Sequence, residues 1–434
     1  MFGFTIAIAQ NINTYAGQTA SGAVGDGGSA ISAFTGPTRG ICKDAAGNIY
    51  IAQIDGKRIR KVDVSGIITT YAGDGIGGGA TGDGGPATSA KLGVCHGIAM
   101  DGSGNLYIAD QSNHKIRKVN SSGIISTYVG TGALGFAGDG GPASSAKLNN
   151  PIGIAVDASG NLYIADANNQ RIRKVNTSGI ISTVAGTGVG GYSGDGAAAT
   201  LAKINMPESV AVDGAGNIYL TDASYTVRKI NTAGIISTVA GNTVWGFSGD
   251  GGPATSAQIS SKAVAVDSYG NLYLADFPFH VVRFINTAGI ISTIAGQDGL
   301  TGFSGDGGNP LSALLSYPYG LLVDGSCNLY ISDQGNSRTR FITGSGCYVG
   351  INELNGDINK ITVYPTPSTG QVTFDGVVEN DVVEVIDITG RLIFSHTSYS
   401  NNPTIDLSTL DKGMYLYRIT DEQNKVQQGK LILR

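Results

Sequence analysis

Short apolar runs separated by polar, glycine-containing turns repeat along most of the chain. In the third repeat the apolar runs cover residues 153–157, 161–166, 171–175 and 180–185, and each break contains Ser, Asn or Gly. Runs of this length with turn residues at every break are typical of antiparallel strands. The pattern predicts four strands per repeat. The second run is apolar at consecutive positions, so we expect both faces of that strand to be covered.

The phrase that begins the second strand sets the period of the repeat. It has the form Gly-Asn-hydrophobic-Tyr, with Cys327 in place of the glycine in the last copy. Its asparagines are Asn48, Asn105, Asn161, Asn217, Asn271 and Asn328, with steps of 57, 56, 56, 54 and 57 residues. A fixed period of this size indicates repeated units that stack to bury a shared core. We therefore predict an all-β chain with a six-bladed β-propeller of four-stranded blades over residues 10–343, because a ring of blades covers both faces of each sheet.

The sixth repeat has no fourth strand of its own. Residues 11–17 at the other end of the chain match the fourth strand of the other repeats. We predict that this N-terminal strand completes the sixth blade and closes the ring, which leaves no open sheet edge at the seam.

Three phrases resemble the NHL repeat family of six-bladed propellers. They are Gly-hydrophobic-Ala-Val-Asp, Gly-Asn-Leu-Tyr-Ile-Ala-Asp and Arg-Ile-Arg-Lys-Val, and they occur over residues 11–346. The resemblance implies the fold. It does not decide the function, because NHL-like propellers include lyases, hydrolase-like enzymes and many binding platforms.

A different pattern follows the repeats. A stretch of small and polar residues at 344–360 is the predicted linker. Alternating strands are predicted at 371–374, 382–386, 391–394, 413–419 and 428–433. Short strands with turns between them predict a small immunoglobulin-like β-sandwich over residues 361–434.

The turn phrases of this second domain resemble the C-terminal sorting domain of type IX secretion. They are Tyr-Pro-Thr-Pro-Ser-Thr-Gly from residue 364, Ile-Asp-Ile-Thr-Gly-Arg from 386 and Leu-Asp-Lys-Gly-Met-Tyr from 410. Thr366 stands where the family usually has Asn. The resemblance implies that residues 361–434 engage the type IX secretion machinery and that the protein is secreted or displayed on the surface of a Gram-negative cell. The alternative is a generic immunoglobulin-like binding module.

Composition excludes several classes of function. The net charge is −5 and no basic run occurs, so we expect no nucleic-acid partner. No stretch after the first ten residues is apolar enough for a membrane span. The four cysteines lack metal-type spacing, and we expect no metal and no cofactor. Residues 1–9 are apolar and end in Ala-Ile-Ala, which predicts the remnant of a secretory signal peptide, with an ordinary first strand as the alternative.

Residues that recur in every blade are expected to serve the fold. Each linking loop carries Gly-Asp-Gly, often followed by Pro and small residues, which predicts a tight turn and then a short helical turn with Pro86 at its first position. Calcium or phosphate binding is the alternative, but each loop offers one carboxylate and calcium needs six to eight oxygens.

One arginine recurs in every third strand. These are Arg60, Arg117, Arg173, Arg228, Arg283 and Arg340. We expect local pairing with the acidic residue that ends strand two, which is Asp110, Asp166, Asp222, Asp276 or Asp333, with Gln53 in the first blade.

The position that leads into strand one differs in every blade and lies where the chain approaches the central axis. It holds Arg39, His96, Ile152, Glu208, Lys262 and Tyr319, and these are called the mouth positions here. Charged and aromatic groups of mixed type around one pocket suit a small polar ligand. We predict that Arg39, His96, Glu208, Lys262 and Tyr319 bind a ligand at the mouth of the channel.

The predicted function is a secreted or cell-surface binding or scaffold protein. Its protein, peptide or glycan ligand would contact the rim formed by the mouth positions and the long loops. The alternative is a secreted lyase or hydrolase that uses His96 and Glu208. In NHL-like amidating lyases histidines near this position bind zinc, but only His96 matches, and a catalytic zinc usually needs three protein ligands.

Single aromatic residues and histidines outside the mouth are weaker candidates. His114 and His280 lie in the turn between strands two and three, and His396 lies in the second domain. Trp245 is the only tryptophan, and we expect it to be packed in its linking loop, with stacking on a sugar as the alternative.

The cysteines give one structural prediction. Cys327 begins strand two of the last blade and Cys347 follows the neighbouring strand, so we expect a disulfide between them in an oxidising envelope. Cys42 and Cys95 lie in different registers of adjacent blades and should be free, buried thiols. Four free cysteines are the alternative.

Overall fold

The computed structural model describes residues 11–18, 25–343, 362–364, 368–387, 392–421 and 426–433. These residues form strands and short 3-10 turns, with no α-helix among them. The chain divides into two units between Ile351 and Asn352. The predicted signal-peptide remnant at 1–9 and the linker at 344–360 lie outside the described residues, and the proposed domain boundaries stay predictions.

Six antiparallel sheets, numbered 1 to 6 along the chain, make up the first unit. Sheet 1 contains Thr38–Lys43, Ile49–Gln53, Arg58–Val62, Ile67–Ala72 and the short Gly28–Ser29. Sheet 2 contains Cys95–Met100, Leu106–Asp110, Lys115–Val119 and Ile125–Val129. Sheet 3 contains Pro151–Val156, Leu162–Asp166, Arg171–Val175 and Ile181–Ala185. Sheet 4 contains Ser209–Val212, Ile218–Asp222, Thr226–Ile230 and Ile236–Ala240. Sheet 5 contains Ser261–Val266, Leu272–Asp276, Val281–Ile285 and Ile291–Gly296. Sheet 6 contains Pro318–Val323, Leu329–Asp333, Arg338–Ile342 and the N-terminal strand Ile12–Ala16.

The sheets form a closed ring. The first strand of each sheet packs against the first strand of the next sheet, and the first strand of sheet 6 packs against that of sheet 1. Every residue of the second strand is buried in all six sheets, as expected for a strand that is covered on both faces. Apolar clusters lie between neighbours; one joins Ala52 and Ile59 of sheet 1 to Leu106 and Ile108 of sheet 2. The prediction of an all-β chain built from four-stranded antiparallel sheets is confirmed.

The N-terminal strand closes the ring as predicted. Ile12–Ala16 pairs antiparallel with Arg338–Ile342, with Ile12 opposite Ile342. The order of sheet 6 places this strand at the outer edge, next to the third strand. Ile12 is fully buried, so the pairing is supported by side-chain packing as well as by backbone hydrogen bonds.

Short 3-10 turns occur at two recurring places. After the Gly-Asp-Gly loops they are Ala30–Ser32, Ala87–Ser89, Ala143–Ser145, Ala199–Leu201, Ala254–Ser256 and Pro310–Ser312. Between strands two and three they are Gln111–Asn113, Ala167–Asn169, Phe277–Phe279 and Gln334–Asn336. Pro86 was predicted at the first position of its turn, but it stands one residue before it because its backbone is extended (ψ 132°).

The repeated Asp-x-x-Gly-Asn-x-Tyr phrase is a hydrogen-bonded turn. In sheet 3, Asp157 Oδ1 accepts hydrogen bonds from the backbone N–H groups of Ser159 and Asn161 at 3.0 and 2.8 Å. Its Oδ2 accepts from Asn161 Nδ2 at 2.7 Å and from the Tyr163 hydroxyl at 3.1 Å. These bonds, with burial opposing them, hold the pKa of Asp157 below its usual value. The phrase therefore connects strands one and two and has a structural role.

The six recurring arginines are fully buried and pair mainly with the Gly-Asp-Gly loops. Arg173 Nη2 donates to Asp139 Oδ1 of the loop at 2.6 Å, while its Nη1 lies 3.2 Å from Asp166 Oδ2 of strand two. In sheets 2, 5 and 6 the strand-two aspartate is farther away, at 3.5–3.8 Å. Local pairing is confirmed, and the strand-two aspartate lies within 4 Å of the arginine in sheets 2, 3, 5 and 6. The closer carboxylate comes from the loop, because each loop folds over the third strand of its own sheet. The loop carboxylates thus serve the fold.

The second unit contains two antiparallel sheets. One contains Thr362–Tyr364, Gln371–Asp375 and Thr404–Asp406, and the other contains Val382–Ile386, Leu392–Thr397, Gly413–Thr420 and Val426–Leu433. Phe374 and Ile405 of the first sheet share one apolar core with Val383, Ile419 and Leu431 of the second. The predicted strands are present, and the two three-residue strands were too short to be detected from alternation.

Cys42 and Cys95 are buried free thiols, as expected. Burial raises the pKa of both. The Cys327–Cys347 disulfide stays a prediction because Cys347 lies outside the described residues.

Candidate functional site

The six mouth positions line one cavity at the centre of the ring. Its volume is about 100 Å³, and Arg39, His96, Ile152, Glu208, Lys262 and Tyr319 all contribute to its wall. Glu208 immediately precedes the first strand of sheet 4, and each of the other five is the second residue of the first strand of its sheet. The structure thus brings the predicted site residues together.

Close approach of the first strands explains why glycine follows four of the six mouth positions. A Cβ atom added at Gly320 would lie 1.7 Å from the carbonyl oxygen of Arg39, and one added at Gly97 would lie 2.6 Å from that of Ile152. No larger residue fits without moving the neighbouring strand. The backbone is therefore held tightly around the axis while the preceding side chains form the mouth.

Arg39 carries a positive charge without a carboxylate partner. Its Nη1 contacts the ring nitrogens of His96, at 2.8 Å from Nδ1, and its Nε donates to Gln334 Oε1 at 3.2 Å. Its guanidinium carbon lies 4.5 Å from the centre of the Tyr319 ring, in a cation–π contact. Among the described residues, no carboxylate lies within 4 Å of Arg39. Its side chain is positioned by neutral groups, so its charge is available to a ligand.

His96 is buried and neutral. Burial, with a smaller contribution from Arg39, lowers its pKa to about 3. A group with this pKa holds almost no proton at neutral pH and is a weak general base. In the part of the chain that the structure describes, no three His, Cys, Asp or Glu side chains converge on a point that could hold a metal ion.

Glu208 and Lys262 form an ion pair on the opposite part of the mouth. Lys262 Nζ lies 2.5 Å from Glu208 Oε1, and both side chains are partly exposed. Burial and the nearby Glu208 charge raise the pKa of Tyr319, which is therefore a neutral phenol. With His96 also neutral, the mouth positions carry two cations and one anion.

A second cavity adjoins the mouth at the junction of sheets 4 and 5. It has a volume of about 260 Å³ and shares Glu208 and Lys262 with the mouth. Tyr225, Trp245 and Phe277 form its aromatic lining. Trp245 was expected to be packed, but 57% of it is exposed, although its ring centre lies 5.3 Å from that of Phe279. Sequence reasoning missed this cavity.

A second set of variable residues lies in the turn between strands two and three. It comprises Lys57, His114, Gln170, Tyr225, His280 and Ser337, all with φ between 47° and 60°. This left-handed backbone favours glycine, yet a side chain stands there in every sheet. The six-fold alignment of this turn, in which five residue types occupy the six copies and only His occurs twice, was a sequence signal that could have found it.

Three of these turn side chains join neighbouring sheets. His114 Nδ1 accepts a hydrogen bond from the Asn150 N–H at 3.2 Å, and His280 Nδ1 accepts one from the Tyr317 N–H at 3.1 Å. Gln170 Oε1 makes the equivalent bond to the N–H of Met206 at 2.5 Å. The two histidines therefore have structural roles. His396 lies in the second unit, between Phe394 and Tyr399.

Protein-family models match segments in both parts of the chain. The secretion system C-terminal sorting domain matches residues 362–434. The teneurin NHL domain matches residues 75–137, 134–193 and 188–247. The chain contains NHL-type repeats and a secretion sorting domain. This sorting domain indicates a secreted or cell-surface protein of a Gram-negative bacterium, so the predicted localisation is confirmed. No helix in the described ranges is long and apolar enough to cross a membrane.

Curated relatives of the NHL-type repeats are much longer proteins. Mouse teneurin-4 is 27% identical over 362 residues, which cover 74% of this chain and 13% of teneurin-4. Mouse teneurin-1 is 30% identical over 297 residues, which cover 59% of this chain and 11% of teneurin-1. This chain therefore spans about an eighth of the length of these relatives.

Solved structures with low sequence identity share the fold. A structural genomics protein of unknown function from Bacteroides thetaiotaomicron is 20% identical, with a TM-score of 0.58 over 77% of this chain and 76% of that one. An auxiliary nutrient binding protein from the same species is 14% identical, with a TM-score of 0.55 over the same shares. Virginiamycin B lyase from Staphylococcus aureus is 15% identical over 71% of this chain and 94% of that one, with a lower TM-score of 0.43.

Proposed function

We propose that this chain is an exported binding protein whose six sheets are the blades of a complete six-bladed propeller, with the mouth positions as its ligand contact. The observation that carries the proposal is the contrast between repeated and variable residues. Turn aspartates and buried arginines recur in the sheets and serve the fold, whereas the six mouth positions all differ and line one cavity. A cavity with a few convergent polar groups suits a small-molecule ligand.

The charges at the mouth favour a ligand with an anionic group. Arg39 has no carboxylate partner among the described residues, while Lys262 already pairs with Glu208. A guanidinium binds a carboxylate or phosphate through two parallel hydrogen bonds. Arg39 is therefore the residue we assign to the anionic group, with Lys262 and Glu208 as contacts for polar groups beside it.

Catalysis by His96 and Glu208 receives less support. His96 has a pKa of about 3 and contacts Arg39, and Glu208 pairs with Lys262. The two residues lie on sheets 2 and 4, with Ile152 of sheet 3 between them around the mouth. A nucleophile or general base normally forms a hydrogen-bonded group with its partner. We therefore propose binding as the function and do not assign a reaction.

The second unit is the proposed export signal. Residues 361–434 would be recognised by the type IX secretion machinery and would form an immunoglobulin-like sandwich from the two sheets that share a core. Deletion of this unit in a type IX-competent host should retain the propeller inside the cell. Appearance of the truncated chain in the medium, at the level of the full chain, would refute this assignment.

Ligand binding at the mouth can be tested by calorimetry. The purified chain is titrated with small mono- and dicarboxylates, phosphate esters and short peptides with free carboxyl termini. We expect saturable binding of an anionic ligand and at least about a tenfold loss of affinity in Arg39→Met. Lys203→Met is the matched control because it removes one positive charge from an exposed loop position outside the mouth. Equal losses in both variants would contradict the assignment of Arg39.

A further inference from the structure

Sheet 5 departs from the repeat at the turn between strands two and three. In sheets 2, 3 and 6 the third residue of this turn is an asparagine that donates to the strand-two aspartate at 2.7–2.8 Å. Sheet 5 has Phe279 at this place. Asp276 therefore lacks this donor, and its Oδ2 has no hydrogen-bond partner in the described structure, although Arg283 Nη1 lies 3.7 Å away. Burial raises the pKa of Asp276 to about 7. In sheet 5 an aromatic ring therefore replaces the side chain that donates a hydrogen bond to the strand-two aspartate in sheets 2, 3 and 6.

The aromatic residues of this turn support the second cavity. The Phe279 ring lies 5.3 Å from that of Trp245. The Phe277 ring lies 5.0 Å from that of Tyr317 and 5.8 Å from that of Tyr319. Tyr319 is itself a mouth position. The two phenylalanines of this turn therefore pack separately, Phe279 against Trp245 and Phe277 against Tyr319 of the mouth.

The junction of sheets 4 and 5 also lacks the side-chain bond that joins sheets 2 and 3, 3 and 4, and 5 and 6. At the equivalent turn position, His114, Gln170 and His280 each accept a backbone N–H from the following sheet. Sheet 4 has Tyr225 there, and its hydroxyl has no hydrogen-bond partner among the described residues. The space between Tyr225, Trp245 and Phe277 remains open as the cavity of about 260 Å³.

We propose that this cavity is a carbohydrate-binding groove in which one pyranose ring stacks on Trp245. The inference deepens the proposed binding function and rests on it, because it names the ligand class of a groove that shares Glu208 and Lys262 with the mouth. An exposed, rigid aromatic face offers apolar contact area to the C–H face of a sugar ring at a low cost in side-chain entropy.

The polar groups of the groove match the hydroxyl groups of a sugar. Glu208 uses Oε1 for Lys262, which leaves Oε2 as an acceptor. Lys262 Nζ is a donor with further protons, and the Tyr225 hydroxyl can donate or accept. These groups line the same cavity as Trp245, so they are available to the hydroxyl groups of a ring stacked on the indole. A concave lining with few polar groups is also the form expected of a small-ligand site rather than a protein interface.

The single tryptophan makes the proposal directly measurable. Trp245 is the only tryptophan of the chain, so its fluorescence reports this groove and nothing else. The full chain is titrated with soluble oligosaccharides of neutral hexoses, of amino sugars and of hexuronic acids, and binding is measured by fluorescence and by calorimetry in parallel. We expect at least one class to bind with saturation and to change the Trp245 emission at the same ligand concentration.

Substitutions at Trp245 and at a control position distinguish the loss of stacking from a general loss of structure. Trp245→Ala should lower the affinity of that oligosaccharide at least about tenfold, and Trp245→Phe, which keeps an aromatic face, should lose less. Leu134→Ala is the matched control. Leu134 occupies the same place relative to its Gly-Asp-Gly loop and is 65% exposed, but it lies outside the groove. It should bind like the unaltered chain.

Two results would overturn the groove assignment. One is calorimetric binding of an oligosaccharide that neither changes Trp245 emission nor weakens in Trp245→Ala. The other is no binding by any class of the panel. In either case the proposed function is judged separately by the anionic-ligand titration with Arg39→Met. If the unaltered chain also bound no anionic ligand, both proposals would be refuted. If the unaltered chain bound an anionic ligand and Arg39→Met lost that affinity, the mouth would stand as the site and the groove would be excluded.

Discussion

The pairing of buried arginines with the Gly-Asp-Gly loops predicts unequal effects for two similar substitutions. Arg228 and Arg173 are both fully buried, in the third strands of sheets 4 and 3. Arg173 is within 4 Å of two carboxylates, those of Asp139 and Asp166. For Arg228, Asp195 is the only carboxylate found within 4 Å in the described structure, at 2.5 Å. Neutralising the loop aspartate should therefore leave Arg228 without any close negative charge but leave Arg173 with one.

The size of the expected loss in unfolding free energy follows from the burial of the arginines. Removing one partner of a buried ion pair typically costs about 3–5 kcal/mol, because the remaining charge stays buried without compensation. The Asp195 side chain is 37% exposed, so solvent screens part of this interaction. We expect Asp195→Asn to lower the free energy of unfolding by about 2–3 kcal/mol and Asp139→Asn by about 1 kcal/mol, since Asp166 stays 3.2 Å from Arg173.

The difference in unfolding free energy between Asp195→Asn and Asp139→Asn is measured by urea unfolding followed by far-UV circular dichroism. Asparagine removes the charge and one acceptor oxygen at both positions, and each loop aspartate accepts a hydrogen bond from a threonine, so the main difference between the two variants is the second carboxylate beside Arg173. Equal destabilisation by the two substitutions would refute the argument that the second carboxylate compensates. A loss below about 0.5 kcal/mol for Asp195→Asn would show that the loop carboxylate contributes no more than an ordinary surface group.

Three further predictions concern single positions. The pKa of Asp276 is raised to about 7 in the folded chain from 3.8, so its stabilisation is complete below pH 4 and is lost as the pH rises through 7. Asp276→Asn should make the free energy of unfolding less dependent on pH between 5 and 8, and an unchanged slope in urea titrations at three pH values would contradict this. Gly320→Ala should lower stability by about 3 kcal/mol or more, because its Cβ would lie 1.7 Å from a backbone carbonyl of sheet 1. Gly325→Ala, with no atom within 4 Å of the added Cβ, should be nearly neutral, so equal thermal shifts would exclude steric closure as the cause. Finally, non-reducing peptide mapping of the exported protein should recover Cys327 linked to Cys347, and recovery of both as alkylated thiols would disprove the bridge.

Much of the fold could be predicted because its determinants are local and repeated. Turn residues at fixed offsets mark the ends of strands, as Asp157 and Asn161 do in sheet 3, where one carboxylate fixes the whole turn. The mouth positions were found for the opposite reason, since they vary where the rest of the repeat does not. Short strands such as Thr404–Asp406 were missed because three residues carry too little alternation to be recognised.

The features that could not be predicted from the sequence depend on contacts between segments that are distant in sequence. Arg173 and Asp139 lie 34 residues apart, and the sequence offers an acidic residue much nearer, at Asp166. The loop aspartate and the third-strand arginine recur together in every repeat, and this joint recurrence could have indicated that they pair. The groove was missed because it requires the Tyr225 turn to leave a space that the equivalent His114 turn fills, and this difference arises only when two sheets are placed side by side.

Ring closure by the N-terminal strand also affects how the propeller bears force. The strand Arg338–Ile342 leads along the chain toward the sorting domain, so tension on a cell-surface attachment through that domain would enter the propeller here. This strand is paired on one side with Leu329–Asp333 and on the other with Ile12–Ala16. Without the N-terminal strand it would be an edge strand that could peel away one hydrogen bond at a time. With the N-terminal strand in place, tension on the attachment must break hydrogen bonds on both sides of Arg338–Ile342 and expose Ile12. The ring is therefore reinforced at the strand on which that tension would act.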